Sequence, residues 1–205
     1  MCRPASFVVT RDRVFWSKRS DSHEDIIREF SLYADGVRGA NIVRVEIVPP
    51  SGDLLVSTDR WELSVDQSDV PDWFDRKRCE EQVRLALVDW VSAKLVTEGS
   101  RNITDGECYA YGSSRVTAYG SSRVTACDSS TVTARDSSRV MARDSSTVTA
   151  RGSSRVTACG SSRVMACEHW ATVRHYSTTD PVLPVGPHAV VIDSRGKKSV
   201  VVVGK

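Results

Sequence analysis

Apolar and polar positions in the second half of the chain follow a period of eight residues. From Ala110 to Met165 the octad Ala-x-Gly/Asp-Ser-Ser-Arg/Thr-Val-Thr/Met is repeated seven times without a gap. Gly or Asp followed by Ser-Ser is typical of a turn, and the β-branched segment that follows is typical of a short strand. A fixed period in sequence indicates a fixed period in space, so the octads predict a stack of equal units.

Alternation within each octad predicts which side chains lie inside the stack. One face of a strand would carry Ser130, Val132 and Ala134, and the other would carry Thr131 and Thr133. The Ser, Val and Ala columns are small and do not vary, so we predict that they fill a narrow β-solenoid. The residue after Ala varies among Tyr, Cys and Arg, which predicts a surface position. We expect two octads to complete one coil, with three octads per coil as the alternative.

Two octads per coil would sort the exposed side chains onto two faces. One face would stack Arg123, Arg139 and Arg155, spaced by about 4.8 Å, the ordinary strand separation. Arginines at that spacing repel one another unless an anion lies between them. That anion could be external or one of three octad carboxylates, namely Asp128, Asp136 and Asp144. The other face would stack Arg115, Thr131, Thr147 and Arg163 beside Thr117, Thr133, Thr149 and Met165. The candidate binding residues on that face are Thr131, Thr133, Thr147 and Thr149.

The first hundred residues lack the repeat and predict a small α+β domain. The pattern predicts a hairpin over residues 6–16, a helix from Asp21 to about Tyr33 with Ser22 as its N-cap, and a strand over 41–48. Residues 54–57 and 60–65 are weaker strand candidates, and a long helix is expected from Pro71-Asp72 to about Val96. We therefore divide the chain into a domain at 1–99, the solenoid at 100–176, and a link with a β-hairpin at 177–205.

The tail is expected to close the solenoid. The octad degrades after Met165, and Trp170, His175 and Tyr176 are bulky enough to cover the open end. Residues 188–193 and 199–203 predict a final hairpin. We expect that hairpin to be covered, because an exposed valine-rich strand is prone to aggregation.

Composition narrows the function classes. The chain has 205 residues and a net charge of +2, which argues against a general nucleic-acid binder. No apolar stretch reaches transmembrane length and the start does not resemble a signal peptide, so we expect a cytoplasmic protein. Of the six cysteines, Cys127, Cys159 and Cys167 occupy the variable column. We expect free surface thiols there, and neither a metal nor a cofactor, because no Cys/His spacing is typical of zinc sites.

Two residues of the first domain could carry chemistry. Removal of the initiator Met would make Cys2 an N-terminal nucleophile with its own amine as base. This dipeptide resembles the start of class II glutamine amidotransferases, without their Gly-rich continuation. His23, followed by Glu24 and Asp25, could act as an acid–base group. Its position at a helix start is the structural alternative.

Two resemblances extend this interpretation. Segments 110–114 and 118–122, with Thr131-Val132-Thr133 and Thr147-Val148-Thr149, resemble half of the repeat of bacterial ice-nucleation proteins. That resemblance implies a β-solenoid and suggests ice binding through the threonines. Parts of residues 14–50 resemble an uncharacterised domain of bacterial and phage accessory proteins, which implies a phage or mobile-element context.

The leading functional hypothesis is a non-enzymatic interaction or structural repeat protein. The first domain would bind a partner, and the solenoid would act as a spacer or as a docking ladder for an anionic macromolecule, a protein above all. The alternatives are ice binding and an enzyme in the first domain. The arginines could instead serve solubility alone, and open strand edges could support a homo-oligomer.

Overall fold

The structure is a computed structural model that describes residues 5–32, 41–167, 170–176, 187–194 and 199–204. The chain forms two compact units, residues 1–93 and 94–205. The first is a small α+β unit and the second is a β-solenoid of about five turns that ends in a strand pair. This is the fold class that the sequence predicts. The three-part division at residues 99 and 176 remains a prediction.

A four-stranded antiparallel sheet forms the core of the first unit. Alternation explains its central strand, because Val43, Val45 and Ile47 are fully buried while the residues between them are half-buried. The strand order is β2-β1-β3-β4. The strands are β1 (Ser6–Val9), β2 (Val14–Phe15), β3 (Val43–Val48) and β4 (Glu62–Val65).

Helix α1 (His23–Glu29) packs on this sheet through Ile26 and Ile27, which contact Val8 of β1. It is shorter than predicted, because Ser31 has a left-handed φ of 53° that a continuing helix does not allow. Ser22 occupies the N-cap position, but its side chain makes no capping hydrogen bond.

Helix α2 (Arg76–Lys94) begins later than the expected Pro71-Asp72. Residues 71–74 form a turn, and the carboxylate of Asp75 accepts a hydrogen bond of 2.9 Å from the Arg78 N–H, which caps the helix start. Its apolar side is also narrower than predicted, because Leu85 and Val88 are 74% and 63% exposed.

The expected strand over residues 54–57 does not form. A short 3₁₀ helix, Pro50–Gly52, precedes that segment and a second, Thr58–Arg60, follows it.

The second unit consists of two parallel sheets joined coil by coil. In the described residues their orders are β14-β12-β10-β8-β6 and β17-β16-β15-β13-β11-β9-β7-β5, with only β16–β17 antiparallel. The first sheet contains β6 (Ser100–Ile103), β8 (Arg115–Ala118), β10 (Thr131–Ala134), β12 (Thr147–Ala150) and β14 (Arg163–Ala166). The second contains β5 (Leu95–Val96), β7 (Glu107–Ala110), β9 (Arg123–Ala126), β11 (Arg139–Ala142), β13 (Arg155–Ala158), β15 (Thr172–His175), β16 (Val190–Asp193) and β17 (Val200–Val203).

Strand register confirms that two octads complete one coil. Thr131 pairs with Thr147, and Arg139 pairs with Arg155, so each octad strand lies beside the strand two octads further on. The predicted inward columns are also confirmed. The Val and Ala columns pack as one continuous core, and the second Ser of every octad is fully buried.

The Gly/Asp column is the left-handed position of each turn. Asp128, Asp136 and Asp144 have φ values of 52°, 53° and 52°, like the glycines in equivalent octads. Their carboxylates do not lie between the arginines, which was one of the expected arrangements. They instead accept backbone N–H groups of the preceding coil, as in the 3.0 Å bond from Gly120 to Asp136.

The variable column is less exposed than the sequence predicted. Cys127 is only 6% exposed, so the expectation of a surface thiol is wrong there, and Cys159 and Cys167 are half-buried. The column lies where the strand enters the turn. There the backbone N–H of Cys127 bonds to the Ala110 carbonyl of the previous coil at 2.8 Å. This bond holds the Cys127 backbone close to the previous coil. Burial of the side chain raises the pKa of the Cys127 thiol.

The solenoid extends beyond the octads at both ends. Strands β5 to β7 precede the repeat, and β15 and β16 continue the eight-stranded sheet after it. Of the predicted end-covering residues, His175 is fully buried in line with the Ala column, whereas Trp170 is 65% exposed and stacks on His188. The predicted final hairpin is the β16–β17 pair.

Candidate binding groove and buried histidine site

A groove of about 720 Å³ runs along the outer surface of the eight-stranded sheet. We call it the arginine groove. Two columns of outward side chains line it, one from the first position of each strand and one from the third. The first column consists of Glu107, Arg123, Arg139, Arg155 and Thr172, and the second of Tyr109, Thr125, Met141, Thr157, Arg174 and Ile192.

The groove brings together the three arginines that the sequence singled out. Arg139 pairs in register with Arg123 on one side and Arg155 on the other, so the three lie on consecutive strands. Adjacent parallel strands are about 4.8 Å apart. All three side chains are exposed. The arrangement is therefore a ladder of guanidinium groups open to solvent.

One end of the ladder has a carboxylate partner that sequence reasoning missed. Arg123 Nη1 lies 3.1 Å from Glu107 Oε1, and Glu107 Oε2 lies 3.7 Å from the ammonium nitrogen of Lys94, which is fully buried. Nothing in the octad pattern indicated this link, because both residues precede the repeat. Within the described part of the chain, no carboxylate pairs with Arg139 or Arg155. The positive charge is thus concentrated toward the middle of the groove.

The second column gives the groove an apolar side. Tyr109, Met141 and Ile192 contribute apolar surface, and Met141 is 39% exposed. Arg174 of β15 adds a fourth cation where the octads have Thr or Met. Sequence reasoning missed it because the degenerate unit was aligned as an end cover. The groove can therefore offer cationic and apolar contacts side by side.

The four predicted threonines form a compact patch on the other sheet. Thr131 pairs with Thr147 and Thr133 with Thr149, on strands β10 and β12. Arg115 on β8 and Arg163 on β14 bound the first column, whereas the second column continues to Thr117 on β8 and ends at Met165 on β14. The threonine array therefore spans two strands in the first column and three strands in the second.

His23 lies in a site that differs from the predicted one. Its ring is 3% exposed, with Nε2 3.0 Å from the Val45 carbonyl oxygen and Nδ1 3.2 Å from Asp66 Oδ2. The predicted neighbours face elsewhere, since Glu24 pairs with Arg44 and Asp25 with Arg28. The expected acid–base group is thus not assembled from adjacent residues. Glu46 is the third side chain near the ring.

Two buried cysteines, Cys79 and Cys108, are poor nucleophiles. Burial raises the pKa of Cys79 and of Cys108 to about 11, so both remain protonated thiols at neutral pH. The other candidate nucleophile, Cys2, lies outside the described residues. Catalysis in the first domain therefore stays a prediction.

Comparisons place no known protein beside this chain. No protein family, curated protein or solved structure matches it. No helix in the described part is long and apolar enough to cross a membrane. The fold defines the protein as an octad-repeat β-solenoid preceded by a small α+β unit.

Proposed function

We propose that this chain is a non-enzymatic interaction protein whose solenoid docks an acidic segment of a partner protein in the arginine groove. The observation that carries the proposal is the in-register ladder of Arg123, Arg139 and Arg155 beside an apolar column. The first unit would contribute a separate partner contact, and the repeat would hold the groove in a fixed register.

Electrostatics favour an anionic partner. Like charges on adjacent strands repel, and carboxylates placed between them relieve that repulsion. Arginine pairs bidentately with carboxylates, which adds directionality to the attraction. Glu107 already plays this part toward Arg123 at 3.1 Å. A bound acidic segment would extend the same pairing to Arg139 and Arg155.

The apolar column favours a protein over a bare phosphate backbone. Met141 lies on the strand of Arg139, whereas Tyr109 and Ile192 lie toward the two ends of the groove. These side chains could bury the apolar side chains of a partner segment. A phosphodiester chain would leave that column unused. The chain's net charge of +2 also differs from that of general nucleic-acid binders. The partner segment is thus expected to alternate acidic and apolar residues.

The first test compares two triple variants of the full chain. Arg123, Arg139 and Arg155 are changed to Gln in one, and the exposed Arg115, Arg135 and Arg163 in the other. The probe is a fluorescent Glu-Leu alternating peptide, measured by anisotropy. We expect the groove variant to lose at least tenfold in affinity and the control to change little. Both variants should keep the melting temperature of the wild type, because each exposed charge contributes about 0–1 kcal/mol to the free energy of unfolding.

Salt and a competing probe sharpen the result. Binding through exposed arginines should weaken as salt rises above 0.1 M, where charges are screened over about 10 Å. Equal binding by both triple variants would reduce the ladder to a solubility surface. Tighter binding of an oligothymidylate of equal charge would replace the protein partner with a nucleic acid.

A second candidate function rests on the threonine patch. The register of Thr131 with Thr147 and of Thr133 with Thr149 is the kind of regular array that could order water on ice. The test follows the recrystallisation and the shape of ice crystals in the presence of the wild type and of the double variant Thr131→Tyr/Thr147→Tyr. Crystal shaping that disappears in the variant would support ice binding, and no shaping by wild type would contradict it.

A further inference from the structure

Three separate elements bring His23, Glu46 and Asp66 together in the first unit. His23 begins α1, Glu46 lies in β3, and Asp66 follows β4, where its backbone N–H bonds to the Arg44 carbonyl. One nitrogen of the ring and one oxygen of each carboxylate all lie within 4.8 Å of one another. The histidine is buried, Glu46 is half-buried, and Asp66 opens to solvent. An ion could therefore enter from the Asp66 side.

The hydrogen bond of the ring identifies the nitrogen available to a ligand. The Val45 carbonyl can only accept, so Nε2, at 3.0 Å, must carry the proton and donate. In a neutral imidazole this leaves a lone pair on Nδ1. That atom faces Asp66 Oδ2 at 3.2 Å, and a carboxylate oxygen is also an acceptor. Two acceptors at this distance require a proton or a cation between them.

We propose that His23 Nδ1, Glu46 and Asp66 bind a divalent transition-metal ion of the Zn²⁺ class. Ligand atoms about 2.0–2.2 Å from such an ion lie about 3.0–3.5 Å apart, which the Nδ1–Oδ2 distance matches. The nitrogen ligand favours Zn²⁺, Cu²⁺, Fe²⁺ or Ni²⁺ over Mg²⁺, Ca²⁺ and Mn²⁺, which prefer oxygen ligands. The Val45 carbonyl fixes the tautomer and the ring plane, as outer partners of metal-bound histidines do.

Neighbouring charges are arranged compatibly with this site. Arg44, on the same strand as Glu46, is paired with Glu24 at 2.5 Å, so its positive charge is already compensated. The proposed ion would join α1 to β3 and to the end of β4. It would therefore stabilise the first unit by fixing the helix on its sheet. The sequence predicted no metal, because the three ligands are far apart along the chain and no cysteine participates.

The experiment titrates the EDTA-treated full chain with Zn²⁺ by calorimetry. The test variants are Glu46→Gln and Asp66→Asn, which act on side chains that are not fully buried, and the control is Asp69→Asn on the exposed segment that follows. We expect one tight site per chain, at least tenfold weaker in each test variant and unchanged in the control. Mg²⁺ should not compete, and Zn²⁺ should raise the melting temperature of wild type more than that of the test variants.

Two readouts separate this site from thiol binding and from a bridging proton. Co²⁺ bound here should lack the intense near-ultraviolet band of thiolate ligands. In ¹⁵N NMR spectra of the wild type, Zn²⁺ should change the chemical shift of His23 Nδ1, while Nε2 stays protonated. An unchanged affinity in both test variants, or a thiolate band with no shift at His23, would overturn the proposal. A doubly protonated ring that Zn²⁺ does not alter would assign the bridge to a proton.

Discussion

At the residue scale, one backbone requirement explains the Gly/Asp column. The third octad position has a positive φ, which is unfavourable for most L-residues and tolerated by Gly, Asn and Asp. Asp adds a contact that Gly cannot make, a side-chain hydrogen bond to the preceding coil. The two residues thus exchange freely for a reason specific to this turn.

Variants of Asp136 should separate the cost of the left-handed backbone from the contribution of the side-chain hydrogen bond. Asp136→Asn keeps a residue that tolerates the left-handed backbone and keeps a side-chain oxygen that can accept the hydrogen bond. Its free energy of unfolding should stay within about 0.5 kcal/mol of that of the wild type. Asp136→Gly loses the bond to the Gly120 N–H and should lower the free energy of unfolding by about 1 kcal/mol. Asp136→Val adds left-handed strain and should lower it by about 2–3 kcal/mol. Urea unfolding measures all three, and an equal effect of Gly and Val would contradict the left-handed assignment.

The Val column offers a direct test of inward packing. Val132 is fully buried, so Val132→Asp buries an unpaired charge and should destabilise the chain by several kcal/mol. The neighbouring Thr131 is exposed, and Thr131→Asp should change stability by less than about 1 kcal/mol. Thermal melting compares the two. Similar melting temperatures would show that the strand faces are reversed.

Cys108 replaces Val in this column and makes the solenoid sensitive to alkali. It pairs with Val124, and burial raises the pKa of its thiol from 9.0 to about 11. The thiol loses its proton at a lower pH in the unfolded chain than in the folded one. The stability that this group contributes is therefore complete below pH 9 and is lost as pH rises to 11. Cys108→Val should fold and should lose less stability over that range, by roughly 1.4 kcal/mol per pKa unit. Identical pH profiles of unfolding would contradict the buried thiol.

At the scale of elements, the period predicts much of the second unit but not where it ends. The spacing of Val132 and Val148 indicated both the inward face and the two-octad coil. It could not show that β5 and β7 continue the eight-stranded sheet and that β6 continues the five-stranded one, because those strands keep the geometry without the octad residues. The sequence singled out His23 but not its grouping with Glu46 and Asp66, since the fold brings these distant residues together.

Octad deletions test the coil directly. Removing Ala126–Met141 takes out two octads and preserves the register of every remaining pair, so the chain should fold with modestly lower stability. Removing Ala126–Thr133 takes out one octad and moves each later strand to the opposite sheet. It should cost more, because β15 and β16 then meet the wrong neighbours. Circular dichroism and melting compare the two, and equal damage would contradict the two-octad coil.

At the scale of the whole molecule, the two outer surfaces of the solenoid arrange charge and hydroxyl groups differently. One sheet carries the arginine groove, and the other carries the threonine patch between Arg115 and Arg163. Both arise from the same octad through substitutions at outward positions. The outward surface can thus differ from octad to octad while the Ser, Val and Ala core stays constant.

The last strand should control self-association. Val200, Val201 and Val203 of β17 are 58%, 58% and 55% exposed, and β17 is the edge of its sheet in the described residues. An uncharged edge strand of valines recruits other strands. Val201→Lys/Val203→Lys should therefore reduce concentration-dependent association, whereas Val88→Lys, on the exposed side of α2, should not. Sedimentation velocity measures this. A wild type that stays monomeric at every concentration would contradict association through this edge.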